Sequence, residues 1–184
     1  MQVENKDKIY TVEEYVEHEL KSAVRSEFVN GQLFEMAGEK DINNEIAGCL
    51  YVLLTTLLKS FGYFVYNHDV KVKVFGENKY YYPDVFVTKE AKTDINKYIK
   101  SEPILIIEVV SETTHVTDYV DKYIAYTKIP SLLYYLIIEP ETTLITRYKK
   151  DNNEWSTSKF TNLDDVIKLD AINNFSFQLK HVYS

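Results

Sequence analysis

The chain has 184 residues, of which 45% are hydrophobic and 27% charged. That composition excludes a disordered or fibrous chain and leaves enough length for a sizeable core. The formal net charge of −7 argues against a protein that coats polyanions over its whole surface, but not against an enzyme that engages nucleic acid locally.

Cys49 is the single cysteine, so neither an intrachain disulfide nor a cysteine-based zinc motif is available. Its apolar helical neighbours predict core packing. The first eight residues are polar and lack the apolar core of a signal peptide, and no apolar run is long enough to span a bilayer. A soluble cytoplasmic protein of one domain, residues 1–184, is the expectation.

Thr11-Val12-Glu13-Glu14 has the form of a capping box. It predicts a short helix over 12–21, with Val12, Tyr15, Val16 and Leu20 on the packed stripe. Asn30-Gly31 is the strongest hairpin signal, because both residues tolerate the positive φ of a type I′ turn. The flanking strands are 26–29 and 32–36, with Val29 opposite Gln32 and Glu27 opposite Phe34. Ala37-Gly38 interrupts the pattern. A helix over 43–60 follows, its stripe formed by Ile46, Leu50, Leu53, Leu54, Leu57 and Leu58. Asn43, Asn44 and Glu45 sit in its first turn, where they can cap the helix or face a site at the sheet.

Alternation over 65–75 predicts a half-buried antiparallel strand, turned by Gly76-Glu77-Asn78 into a returning strand over 79–87. On the return, Tyr82, Asp84 and Phe86 share one face, and Tyr81, Val85 and Val87 the other. Pro83 has no amide donor, so the strand is an edge or is irregular there. The lysines at 71, 73, 79, 89, 92, 97 and 100 form either a modest basic patch near Asp84 or a solvated strand face. The polar stretch 89–102 reads as a loop or short helix.

Residues 103–110 form a continuous apolar run, the mark of a strand buried on both faces. Ser111-Glu112-Thr113-Thr114 is a turn, and a helix follows over 117–127. Its packed stripe is Val116, Val120, Tyr123, Ile124 and Thr127; Tyr119, Lys122 and Tyr126 form a second stripe. The apolar strand over 131–138 should lie parallel to 103–110 across this helical crossover. Strands over 143–149, 155–160 and 175–179 complete an α/β fold with a mixed central sheet.

Glu108 is the odd residue of the central run. A buried carboxylate without a partner is costly, so it pairs with a cation or binds a metal. Asp84 lies in a neighbouring strand, and two such carboxylates can hold a divalent cation through oxygen. Lys122 can supply positive charge beside them. Each residue also has a plainer reading: Glu108–Lys122 as a structural ion pair, Asp118–Lys122 as a surface i, i+4 pair, and Asp84 as an edge-strand charge. Two carboxylates also suit a glycosidase, but the lysine has no role there. His18, His68, His115 and His181 are dispersed without metal-ligand spacing; His115 is the one closest to Glu108 in sequence.

The ordered series Thr11-Val12-Glu13-Glu14-Tyr15, Glu27-Phe28-Val29-Asn30-Gly31, Tyr82-Pro83-Asp84-Val85, Glu108-Val109-Val110-Ser111, Asp118, Lys122, Tyr126 and Ile137-Ile138-Glu139-Pro140 resembles the Uma-two group of the PD-(D/E)XK nuclease superfamily. The resemblance covers nearly the whole chain. It implies a restriction-endonuclease-like fold, a mixed central sheet flanked by helices with additional hairpins. It also implies Mg²⁺- or Mn²⁺-dependent hydrolysis of phosphodiester bonds, with DNA the expected substrate, and a homodimer if both strands are cut.

By the same resemblance, Asp84, Glu108 and the Val109 carbonyl bind the cation, Lys122 and Glu27 join the catalytic set, and Asn43 and Tyr126 contact substrate. Two departures stand out. The lysine expected two residues after the glutamate is replaced by Val110 and relocated to Lys122. Asn43 stands where the group usually carries histidine, and it cannot act as a base near neutral pH. The alternative implied by that departure is an inactive nuclease fold kept as a nucleic-acid-binding or assembly module.

Overall fold

The Thr11 hydroxyl accepts from the Glu14 amide at 3.2 Å, and the Glu14 carboxylate accepts from the Thr11 amide at 2.8 Å. This capping box starts α1 (Val12–Lys21) where the sequence predicts it. The computed structural model describes residues 2–3, 8–36, 38, 40–93, 97–111 and 115–183. Ala37 and residues 112–114 of the predicted turn lie outside the described residues. Helix α1 buries Tyr15 and Glu19, whereas Leu20 is exposed. Glu19 takes the inward place because its carboxylate finds donors there: the Ser26 amide at 2.9 Å and the Tyr82 hydroxyl.

The Asn30-Gly31 turn has φ of 51° and 92° and joins β2 (Ser26–Val29) to β3 (Gln32–Glu35) in the predicted register, Glu27 opposite Phe34. A short β1 (Gln2–Val3) adds to β3. Helix α2 (Asp41–Leu58) buries Asn43, Ile46, Leu50, Leu54 and Leu58. Leu57 is exposed, as is Cys49. Cys49 is therefore not a core residue: it lies one position off the buried stripe, between Ala47 and Leu50.

Each of the two long strands predicted over 65–75 and 79–87 is broken. The first divides into β4 (Phe64–Asn67) and β5 (Lys71–Lys73), the second into β6 (Lys79–Tyr81) and β7 (Val85–Thr88). The second break falls at Tyr82-Pro83-Asp84, where proline removes a ladder donor. Strands β5 and β6 join the hairpin sheet, while β4 and β7 join the central one. The break also turns Tyr81 over: it packs with Phe86, not with Val85 and Val87. Lys71 and Lys100 are buried, which reduces the predicted basic patch.

The hairpin sheet gains β8 (Ile99–Lys100), parallel to β5. The central sheet contains β9 (Pro103–Val109), β10 (Tyr134–Glu139), β11 (Leu144–Asp151) and β12 (Glu154–Phe160), in the order β12-β11-β10-β9-β7-β4. Strands β9 and β10 are parallel, as the helical crossover between them requires. Strands β13 (Val166–Leu169) and β14 (Phe175–Gln178) form a separate pair; the sequence reading missed β13.

One face of the central sheet packs on α2 through Val85, Val87, Leu105 and Ile107. The other presents Phe86, Ile106, Tyr135 and Ile137 to the crossover. The crossover is a π-helical segment, Thr117–Lys122, continued by α3 (Tyr123–Tyr126). Its inward residues are Asp118, Lys122, Ala125 and Tyr126, while Val116, Val120 and Ile124 are exposed. Three residues of the predicted packed stripe thus face outward, Tyr123 still packs against the core, and Lys122 and Tyr126 of the second stripe turn inward. Among the described residues no helix is long and apolar enough to cross a membrane.

Candidate active site

Strand β7 pairs antiparallel with β9, Val85 opposite Ile107 and Phe86 opposite Ile106. Continuing that register by one residue sets Asp84 opposite Glu108. Because side chains alternate along a strand, both lie on the face of Phe86 and Ile106, toward the crossover helix. Asp84 Oδ2 accepts the Val109 amide at 2.6 Å, which ties the end of β9 to the Pro83 break. Asp84 and Glu108 are 5% and 2% exposed.

Glu108 Oε1 accepts from the Tyr126 hydroxyl at 2.8 Å and from Lys122 Nζ at 3.1 Å. The same ammonium lies 3.3 Å from Glu27 Oε1 and 3.0 Å from Asp118 Oδ1. The Asp118 contact is an ion pair without hydrogen-bond alignment. Far from being a surface pair, Asp118 and Lys122 are 2% and 4% exposed. The hairpin brings Glu27 in from the other sheet, where its Oε1 also accepts the Tyr82 amide at 3.3 Å.

Three carboxylates (Glu27, Glu108 and Asp118) therefore surround one lysine, and Asp84 acts on Glu108 as a fourth. Burial pushes the Glu108 carboxyl well above the usual range; Asp84, Asp118 and Glu27 add to this, and Lys122 pulls it back. Burial also raises Glu27, again opposed by Lys122. For Lys122, burial works against the charge, but Asp118, Glu108 and Glu27 outweigh it and hold the ammonium well above its usual range. Burial raises the Tyr126 hydroxyl, with Glu108 adding to it.

Asn43, from the first turn of α2, donates through Nδ2 to the Val109 carbonyl at 3.4 Å. It is fully buried, and its Oδ1 has no hydrogen-bond partner. Asn44 and Glu45 are exposed. A cleft of about 420 Å³ reaches Asn43 from the side of Lys40, Ser111, His115 and Glu139. A second, of about 510 Å³, reaches Glu27 between Phe34, Lys79, Tyr81, Thr117 and Asp121. His115 pairs with Glu139 at 3.5 Å, away from the Lys122 cluster.

The residues assigned to the site by the family resemblance thus fall in one neighbourhood: Glu27, Asn43, Asp84, Glu108, Val109, Lys122 and Tyr126. The sequence reading missed two others. Asp118 is part of the family series in the sequence but has no assigned place in the site there, a surface i, i+4 pair being its plainer reading. His68 lies with Nδ1 3.5 Å from Asp84 Oδ1, and burial lowers its imidazole below the ordinary value while Asp69 pulls the other way. No spacing rule could have found His68, because its place depends on the strand break.

The family model described as "Uma2: Putative restriction endonuclease" matches residues 12–180. The chain is a member of the Uma2 family. Two curated relatives come from Synechocystis sp. "Uncharacterized protein sll1609" is 30% identical over 151 residues, 80% of this chain and 85% of that protein. "Uncharacterized protein slr1290" is 27% identical over 172 residues, 93% of this chain and 90% of that protein. A crystal structure described as a putative nuclease belonging to DUF820, from Anabaena variabilis, superposes with a TM-score of 0.77 at 14% identity, covering 94% of this chain and 97% of that one. The Uma2 chain therefore has the restriction-endonuclease-like fold its sequence resembles.

The donor set suits a hard divalent cation. Its oxygens are carboxylate and carbonyl, and its buried formal charge is strongly negative. Asn43 Oδ1 is a further oxygen without a donor. Among the described residues, no three His, Cys, Asp or Glu side chains form a ready-made metal cluster, so backbone oxygen and water would have to complete the coordination.

Proposed function

We propose that this Uma2 protein is a divalent-metal-dependent nuclease that hydrolyses phosphodiester bonds, with DNA as substrate and Mg²⁺ or Mn²⁺ as the cation. The observation that carries the reading is the opposition of Asp84 and Glu108 at a buried strand end whose carboxylates outnumber the cation beside them. Asp84, Glu108 and the Val109 carbonyl would hold the metal. When bound, the cation supplies Lewis acidity, acidifying a water and offsetting charge on the phosphate.

The chain's own residues have distinct parts. Lys122, kept charged by its carboxylates, acts as a donor toward the anionic phosphate rather than as a base. Tyr126 fixes the rotamer of Glu108 through its hydroxyl. Asn43 steadies the Val109 carbonyl. Glu27 holds Lys122 from the hairpin side. We take residues 1–184 as one domain acting in the cytoplasm, and a homodimer as the form that cuts both strands.

The test is cleavage of supercoiled plasmid, single-stranded DNA and RNA with Mg²⁺ or Mn²⁺, for native protein, Asp84→Ala and Lys122→Ala. Metal-dependent cleavage of DNA, lost by on the order of 100-fold or more in both variants, is the expected result. Absence of cleavage of every substrate, with no calorimetric metal binding by the native protein, would leave the fold as a binding or assembly module.

A further inference from the structure

The turn between β4 and β5 places a histidine against the candidate metal site in an unusual backbone conformation. The Asp69 amide donates to the Asn67 carbonyl across His68, closing a three-residue turn. His68 itself has φ of +33°. Among the described residues, the other non-glycine residues with positive φ are all asparagines, a type that tolerates this region with its short polar side chain. Strained positions of this kind persist where the surroundings hold them, and they concentrate at functional sites.

The turn gives the imidazole its place. Nδ1 lies 3.5 Å from Asp84 Oδ1, while the other carboxylate oxygen, Oδ2, receives the Val109 amide. The His68 side chain is 29% exposed, so it borders solvent rather than filling core. Its neighbour Asp69 is directed elsewhere, toward Arg25 at 3.4 Å.

We propose that His68 is a nitrogen ligand of the divalent cation held at Asp84, and that it biases the site toward a first-row transition cation over Mg²⁺. This inference rests on the metal-dependent reading above. A distance of 3.5 Å is long for a direct N–H···O hydrogen bond. It suits two donors sharing one ion: atoms each about 2.1 Å from a cation lie roughly 3.0 Å apart at a right angle and about 3.4 Å apart at a tetrahedral angle. Ligation through Nδ1 leaves the imidazole proton on Nε2. Mg²⁺ takes oxygen and holds its waters, whereas imidazole favours transition cations. With His68 and Asp84 as the starting pair, backbone oxygen and water would have to complete the shell, because among the described residues no three His, Cys, Asp or Glu side chains stand together as a metal-holding group.

The experiment is calorimetric titration of the full chain with Mn²⁺ and with Mg²⁺, for native protein, His68→Gln and Asp84→Ala. Electron spin-echo spectroscopy of the Mn²⁺-loaded native protein and of Mn²⁺-loaded His68→Gln accompanies it. The expected result is an Mn²⁺ affinity about tenfold or more lower in His68→Gln, with Mg²⁺ affinity within about threefold. A nitrogen coupling to bound Mn²⁺ should be present in the native protein and absent in the variant. Equal losses for the two cations, no loss, or no nitrogen coupling in the native protein would overturn the assignment, and the coupling readout does not depend on how well a variant folds. Metal binding abolished in Asp84→Ala but untouched in His68→Gln sinks this inference alone. A native protein that binds neither cation sinks the metal-dependent reading with it.

Discussion

Asp118 and Lys122 lie 3.0 Å apart inside the protein, four residues apart on the π-helical segment that crosses from β9 to β10. The wider π turn sends Asp118, Lys122 and Tyr126 toward the sheet and leaves Val116, Val120 and Ile124 outside. Single-turn π segments are rare and recur at functional sites. Here the inward residues are those that enclose Glu108.

Removing the ammonium exposes the cost of that arrangement. Lys122→Met keeps most of the side-chain volume but leaves Glu27, Glu108 and Asp118 buried without their shared cation. Breaking a buried ion pair from one side costs about 3–5 kcal/mol. Urea denaturation near neutral pH should show a loss of that order. An unchanged midpoint would mean that the carboxylates are already neutral and that Lys122 balances nothing.

The pH dependence follows from the raised carboxyls. Glu108 and Glu27 titrate above the ordinary carboxylate value in the folded protein. Between that ordinary value and the raised ones, the folded chain holds protons the unfolded chain has shed. Their contribution is therefore intact below the ordinary value and is lost as pH rises through the raised ones. Lys122, also raised, keeps its contribution below its own unfolded value and loses it only on the alkaline side. Urea midpoints measured upward from the ordinary carboxylate value should fall from this source as pH passes through the raised values, and the slope should flatten in Glu108→Gln. A midpoint that climbs through this window equally in both proteins would contradict the charge assignment.

Much of this site was legible because chemistry and local pattern agreed. Thr11/Glu14, Asn30-Gly31 and the apolar run around Glu108 each carried one reading, and the structure has each feature in place. The failures share a cause: partners distant in the chain chose which face is buried. Glu19 displaces Leu20 because Tyr82, far along the chain, and the nearby Ser26 amide satisfy its carboxylate. Asp118 and Lys122 displace Val116 and Val120 because Glu27 and Glu108 wait on the other side. Alternation over 65–75 ran through a break that only the turn at His68 reveals.

Gly31 tests the hairpin that carries Glu27. Its φ is +92°, and an added Cβ would stand 2.7 Å from Ile9 Cγ2. The neighbouring chain cannot retreat freely, because the Tyr10 amide donates to the Gly31 carbonyl at 2.8 Å. Gly31→Ala should destabilise by roughly 1–3 kcal/mol. Thermal denaturation reads this directly, and a variant as stable as the native protein would show that the turn relaxes into another type.

Tyr82 separates what supports the site from what acts in it. Its hydroxyl donates to Glu19, its amide donates to Glu27 Oε1, and Asp84 follows two residues later. Tyr82→Phe removes only the hydroxyl, leaving Glu19 with the Ser26 amide at 2.9 Å and Lys71 at 3.7 Å. A hydrogen bond to a charged group contributes about 1.5–3 kcal/mol, so urea denaturation should show a loss in that range. The Asp84–Val109 bond and the backbone donor to Glu27 survive the change. Metal affinity and cleavage, assayed well below the unfolding temperature, should therefore stay within about threefold of native. Asp84→Asn should do the reverse, abolishing both with a smaller effect on stability than on activity. If Tyr82→Phe instead loses activity as fully as Asp84→Asn while remaining folded, Glu19 and Tyr82 belong to the reacting site.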